Sequence, residues 1–389
     1  MISIDLSTLA GTRSSPESEA SGTGASTRQP DRSNRKAWAK ENFKGLETIL
    51  MPSFTPDLKE LDEEGIRHDV RMSKRHGFFS VFVAGAGLTP EEQLRMIRIV
   101  VDEARGGLEV AFSMGFHKDA EKLNLMRQAS DAGATHVLLH PSFQWKPADE
   151  NELYDWYKRM IDASDLNIAL WATDGQNFRH FAPANIPINV IDRLADLEKV
   201  IAIKLMTTLD EAVTFQLCEK VSDRILIGCV NLKMFPLLSK HYGAQWSGAW
   251  TVEALQSPER PYITDYVKQL NAGDYDTAVS TYHQIMPAYR ALFQMMAPLL
   301  PSGVHPFTQL KYYQWCVGGN GGLMRPPHDP VELHFKLNAQ QRADIAAAYE
   351  AIGIVADPDP ESFVAGRALH SQGVRHAEMD PRATQMFVA

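Results

Sequence analysis

The sequence predicts a (β/α)8 barrel followed by a helical block. Two observations carry that prediction. Short apolar runs recur about every 20 to 35 residues, with segments of helical pattern between them. After the eighth run the alternation stops, and helix follows helix. Strand–helix alternation argues for parallel strands joined by helical crossovers, and eight such units close into a barrel. An open doubly wound sheet is the alternative. No glycine-rich nucleotide fingerprint follows the first strand, which speaks against it.

Taken in order, the chain begins with a segment, 8–36, rich in Ser, Thr, Gly, Pro, Glu and Arg and nearly free of large apolar side chains. Such a stretch buries too little surface to offset its ordering entropy, so residues 1–40 are expected to be a flexible tail. The barrel is expected over 41–255. Its strands are Leu46–Leu50, Phe79–Val83, Leu108–Phe112, His136–His140, Asn167–Trp171, Val200–Lys204, Arg224–Cys229 and Ala244–Trp250. The intervening helices carry their own start and stop signals. Pro90 opens one with Glu91 and Glu92 beside it, and Gly133 closes the segment from Ala120 to Ala132. A helical block is expected over 256–352 and an extended polar tail over 353–389.

Composition sets outer limits. The chain has 389 residues, 44% hydrophobic and 22% charged, which is ordinary for a globular protein. A net charge of −9 without a basic stripe argues against a nucleic-acid binder. No apolar run reaches the roughly 18 residues that cross a membrane, and no secretory signal opens the chain. Cys218, Cys229 and Cys316 are odd in number and show no paired spacing, which fits a reducing compartment. The expected location is the cytoplasm.

A barrel places its chemistry at the C-terminal ends of its strands. Among those ends Lys204 is the strong nucleophile. It closes the run Val200-Ile201-Ala202-Ile203, where a charged amine is costly to bury. An amine kept partly dry loses its proton more readily and can attack a carbonyl to form an imine. The bland alternative is a lysine that snorkels to water. Cys229 lacks a paired histidine and reads as a small core residue. Gly85-Ala86-Gly87 is either a tight turn or an anion-binding backbone. His136 and His140 share a strand face, but no third metal ligand follows at a suitable spacing. Asp174 most simply makes a loop turn, and it could also carry a proton.

These residues resemble the dihydrodipicolinate synthase and N-acetylneuraminate lyase family of Schiff-base aldolases. The marks run in order from about residue 44 to 350. They are Gly45-Leu46 through Phe54, Leu88-Thr89-Pro90-Glu91-Glu92, Ala129 to Gly133, Lys146-Pro147, Ile203-Lys204, Ala272-Gly273-Asp274 and Arg325-Pro326-Pro327. The resemblance implies a barrel with a C-terminal helical extension, a homo-oligomer of four or two copies, and no cofactor. It also implies an imine between a lysine and a 2-oxo acid, commonly pyruvate, and Lys204 falls at that lysine's position.

The departures bear on the substrate. The family's threonine-bearing loop after strand two is here Gly85-Ala86-Gly87, without hydroxyls. The tyrosine that ends strand five is here Trp171, whose indole N–H donates but does not shuttle a proton. The tyrosine pair before Lys-Pro is here Ser142-Phe143-Gln144-Trp145. Dihydrodipicolinate synthase activity itself is therefore not expected. Phe116, Phe143, Trp145, Trp171, Trp246 and Trp250 fall at or beyond strand ends and suggest an apolar wall for a small carbonyl substrate bulkier than pyruvate. Trp171 would cover the imine. His140, Asp174 or Ser53 would replace the proton relay. Gly85, Ala86 and Gly87, or Arg179, would hold a carboxylate. A hydratase or isomerase without an imine, and a non-catalytic binding barrel, are the rival readings.

Overall fold

A computed structural model describes residues 34–115, 117–206, 210–248, 252–298, 306–325, 336–357 and 360–384. Eight parallel strands close a barrel in sequential order. They are β1 (Gly45–Leu50), β2 (Ser80–Val83), β3 (Glu109–Ser113), β4 (His136–Leu139), β5 (Asn167–Ala172), β6 (Val200–Leu205), β7 (Leu226–Cys229) and β8 (Trp246–Ser247). The predicted class holds, and each strand lies within its apolar run or one residue from it. Helix α1 (Arg35–Asn42) precedes β1. The crossover helices are α2 (Glu63–Arg75), α3 (Pro90–Ala104), α4 (Asp119–Ala132), α5 (Glu150–Asp162), α6 (Ile188–Ala195), α7 (Glu211–Val221) and α8 (Phe235–Tyr242).

Local chemistry explains the helix boundaries. The Thr89 side chain accepts from the Glu92 amide while Glu92 reaches back to the Thr89 amide, so both orphan donors at the start of α3 are satisfied. Gly133 ends α4 at φ 100°, a left-handed conformation that glycine adopts without a Cβ penalty. Asp210 caps α7, its carboxylate accepting from the Val213 amide at 3.1 Å.

Two boundaries differ from the sequence expectation. Part of the expected N-terminal tail is α1, which lies beneath the barrel. Arg35 donates to the Asp165 carbonyl at 2.7 Å and to Asn167 Oδ1 at 3.0 Å. Phe43, fully buried, enters the barrel edge-on to Trp246 and His136. One arginine and one phenylalanine anchor a segment that otherwise looks solvated. The rest of the expected tail, 1–33, lies outside the described residues. At the other end, α9 (Tyr262–Asn271), α10 (Tyr275–Met296), α11 (Phe307–Cys316) and α12 (Ala339–Glu350) form the helical block. The segment after it folds back instead of extending, as α13 (Pro360–Ala365), α14 (Arg367–Ser371) and α15 (Pro381–Thr384). Phe363 is its apolar anchor, fully buried against Trp315 and Tyr312.

Helix α11 crosses the C-terminal end of β1. Lys311 donates to the Pro52 carbonyl at 2.8 Å and to Ser53 Oγ at 3.1 Å, and Gln314 donates to the Ile49 carbonyl at 2.8 Å. No described helix is long and apolar enough to cross a membrane.

Candidate active site

Strand β6 carries Lys204 inward near its C-terminal end, in register with Trp171 of β5 and Gly228 of β7. The side chain is 7% exposed. Burial lowers its proton affinity, and the charge of Glu47 partly restores it. The ammonium position lies 5.6 Å from the centre of the Phe82 ring on β2. The amine is thus dry, neighboured by an aromatic face and a carboxylate, and placed where a barrel does its chemistry.

Glu47 and Ser80 were not singled out in the sequence, and His136 was weighed there only as half of a metal pair. The Glu47 carboxylate, 3% exposed, accepts from His136 Nε2 at 2.8 Å and from Ser80 Oγ at 2.9 Å. Burial opposes its charge, but the hydrogen bond and attraction of His136, the charge of Lys204 and the Ser80 hydroxyl outweigh that. Its carboxyl is held below the usual range. His136 is therefore spent on Glu47. The signal was present in the sequence: an acid three residues into β1 breaks an otherwise apolar inward pattern.

Beside Lys204, the aromatic side chains divide into two groups. Trp171 meets His140 edge-on at 4.5 Å and Phe143 edge-on at 5.5 Å, and Phe143 is 37% exposed. These three form a wall at one side of the mouth. Trp246 and Trp145 do not join it. Trp246 is fully buried, with its ring in the space left by Gly228 and against Phe43, so it fills the barrel interior. Trp145 turns onto Trp156 of α5, at 6.0 Å, and packs on the outer core. Phe116 and Trp250 lie outside the described residues.

The three candidate proton carriers are distinguished by their surroundings. His140 is buried, and its Nδ1–H donates to the Pro141 carbonyl at 2.9 Å, which leaves Nε2 to accept a proton. Burial lowers its pKa to about 4, so the ring is neutral at physiological pH. Asp174 is exposed in the loop after β5, where its carbonyl accepts from Asn185 Nδ2 at 2.8 Å. The Ser53 hydroxyl is engaged by Lys311 and Asn320 of the C-terminal block, so it is a structural clamp and not a free relay group.

The Gly85–Gly87 turn is fixed from outside. Gly87 has φ 73°, and its carbonyl accepts from Arg325, which also holds Glu92 of α3. A Cβ on Gly85 would meet the Gln93 side chain at 2.9 Å and would displace it from its hydrogen bonds with the Ser113 carbonyl and His117. Arg179 is exposed in the loop that follows β5. Gln176, in the same loop, is buried, and both its amide oxygen and nitrogen lack a partner among the described residues, as does Trp171 Nε1. Buried polar atoms left unpaired by the protein are satisfied by water, an ion or a ligand.

A closed barrel, a C-terminal helical block and a dry lysine at the strand ends point to one class, the class I aldolase-type enzymes. The comparisons name the group within it: the chain belongs to the Dihydrodipicolinate synthetase family, which matches residues 42–345. Among curated relatives, a 4-hydroxy-tetrahydrodipicolinate synthase from Methanothermobacter thermautotrophicus is 27% identical over 262 residues, covering 64% of this chain and 87% of the relative. One from Methanosarcina barkeri is 28% identical, covering 78% and 97%. Among solved structures, N-acetylneuraminate lyase from Fusobacterium nucleatum has a TM-score of 0.62 at 17% identity, covering 79% of this chain and 98% of its own. Dihydrodipicolinate synthase from Agrobacterium tumefaciens has a TM-score of 0.62 at 20% identity, covering 81% and 99%. These structural likenesses establish the fold.

Proposed function

We propose that this enzyme forms an imine between Lys204 and a carbonyl substrate, and that the substrate is a 2-oxo acid bulkier and more apolar than pyruvate. The observation that carries the reading is the Lys204 amine itself: buried at the C-terminal end of β6, with its proton affinity lowered by that burial. A neutral amine attacks the carbonyl carbon, water leaves, and the protonated imine draws electrons while a C–C or C–O bond breaks. A solved relative of the same fold, the lyase from Fusobacterium nucleatum, is in complex with pyruvate, which supports a 2-oxo acid as the carbonyl partner.

The apolar wall of Trp171, Phe143 and His140 supports the larger substrate. A ring burying about 100 Å² there would gain about 2.5 kcal/mol, near a seventyfold preference. His140 is the group we assign to proton transfer, since Ser53 is engaged elsewhere and Asp174 is exposed. The Gly85–Gly87 amides or Arg179 hold the carboxylate, with Gln176 as a further polar contact. An assembly of two or four copies accompanies this reading, and light scattering would measure it.

Borohydride trapping read by intact mass tests the imine. Wild-type protein should gain the mass of a reduced adduct, and Lys204→Ala and Lys204→Arg should gain none. Turnover should fall at least about a thousandfold, because arginine stays protonated and alanine has no nucleophile. Near-normal turnover in Lys204→Ala would refute the mechanism. A competition series of pyruvate against 2-oxo acids bearing aryl or long alkyl groups tests the substrate. If pyruvate reacts as well as any bulky analogue, or Trp171→Ala leaves the preference unchanged, the wall is only packing.

A further inference from the structure

The carboxylate of Glu47 is out of place in a barrel interior, where inward positions are usually filled by branched apolar side chains. A buried charge is costly unless it is paired and hydrogen-bonded. Both of Glu47's hydrogen bonds, from His136 and Ser80, fall on Oε2. They account for one oxygen and fix the direction of the other. A Cβ on Gly248 would stand 2.9 Å from Glu47 Oε1 and 3.1 Å from Lys204 Nζ. Carboxylate and amine therefore face the same point, from β1 and β6, which are separated around the barrel by β7 and β8. Gly248 is not among the glycines with positive φ. What this position requires is the absence of a side chain, so that the two charges can approach.

We propose that Glu47 is the buried counter-ion of the imine at Lys204, a positioning residue oriented by His136 and Ser80 through the space left at Gly248. This rests on the imine reading above. The charge balance favours it. In sum, the Lys204 ammonium and a carbonyl give a protonated imine and water: the C–N bond forms, the C–O bond breaks, and two of the ammonium's protons leave with the oxygen. The nitrogen is positive before and after, so a fixed anion stabilises both states and needs no rearrangement between them. In a dry site, that charge also keeps Lys204 from losing its proton affinity altogether. The titratable groups set against Glu47 among the described residues are His136 of β4 and Lys204 of β6. Ser80 of β2 contributes a hydroxyl, and Glu109 of β3 acts on His136.

The test reads the Lys204 amine directly, without a substrate. Formaldehyde with a borane reductant methylates amines in their neutral form, and peptide mass spectrometry follows Lys204 across pH. Glu47→Gln should move the labelling midpoint down by about one unit or more. Glu47→Asp, which keeps the charge but draws it back, should move it less and in the same direction. Circular dichroism confirms the fold, and if Glu47→Gln does not fold, the direction in Glu47→Asp decides. Trapping of a 2-oxo acid, at a pH where the amine is neutral in both proteins, should yield about tenfold less adduct in Glu47→Gln. A folded Glu47→Gln with an unmoved or raised midpoint would overturn the proposal. A lowered midpoint in protein that never traps a 2-oxo acid would leave the electrostatic coupling of Glu47 to Lys204 standing and sink the imine reading alone.

Discussion

Two buried lysines lie near the barrel mouth, and their surroundings assign them different work. Lys311 donates to the Pro52 carbonyl and to Ser53 Oγ, and burial, partly offset by Asp69 and Asp62, brings its pKa down to about 8. Its hydrogens are committed to joining α11 to the end of β1. Lys204 faces Glu47, Phe82 and the Gly248 gap. Replacing Lys311 by methionine strands buried acceptors, so a melting experiment should show a loss of about 1–3 kcal/mol while the trapped adduct persists. Gly248→Ala separates the two roles from the other side. Its methyl would intrude on both Glu47 Oε1 and Lys204 Nζ, and misplacement of a reacting group by about 1 Å can cost roughly a hundredfold in rate. The expected result is a folded protein with turnover reduced tenfold to a hundredfold. An unchanged rate would mean that the gap has no catalytic purpose.

At the level of elements, α1 and β8 close the barrel together. Strand β8 has only two residues, paired to Gly45 and Leu46 of β1 and to Gly228 of β7. So short a strand contributes few ladder bonds, and side chains supply the closure. Trp246 fills the space that Gly228 leaves, and Phe43 meets it edge-on at 4.8 Å. Gln245 ties the same corner to α1 through the Lys40 and Phe43 carbonyls. Phe43→Ala should cost about 3–5 kcal/mol in chemical denaturation, as a truncated buried aromatic does. It should also disturb His136, which Phe43 contacts at 4.7 Å. A cost below about 1 kcal/mol would show that α1 is an appendage to a barrel that closes without it.

Over the whole molecule, the junction between barrel and helical block turns on Glu253. Its Oε1 accepts from Thr48 of β1 at 2.5 Å and from Gln314 of α11 at 3.1 Å, while Tyr349 of α12 donates to its backbone carbonyl. Burial raises its pKa from 4.5 to about 7. The native state thus holds this proton more tightly than the unfolded chain, so stability falls as pH rises from about 4.5 through about 7. The effect is on the order of 1–3 kcal/mol. Glu253→Gln should remove this term and make the protein more stable above pH 7. Urea melts of both proteins at pH 5 and pH 8 measure it, and parallel pH dependence in the two would rule the effect out.

The sequence by itself determined the barrel, the order of its strands, and the position of Lys204 at the end of β6. Each of these depends on local pattern: runs of inward and outward apolar residues, helix caps such as Thr89-Pro90, and a charge that ends an apolar run. Only the tertiary structure decided which side chains meet that lysine. Glu47 lies 157 positions before Lys204 and Gly248 lies 44 after it, and closure of the barrel brings all three to one point. The same closure sent Trp246 into the interior, Trp145 onto α5 and Ser53 to Lys311, although each stands near a strand end in the chain. Position along a strand sets the layer of a side chain. Its neighbours within that layer come from across the barrel, and their identity depends on shear, on gaps such as Gly228 and Gly248, and on the buried charges that need partners.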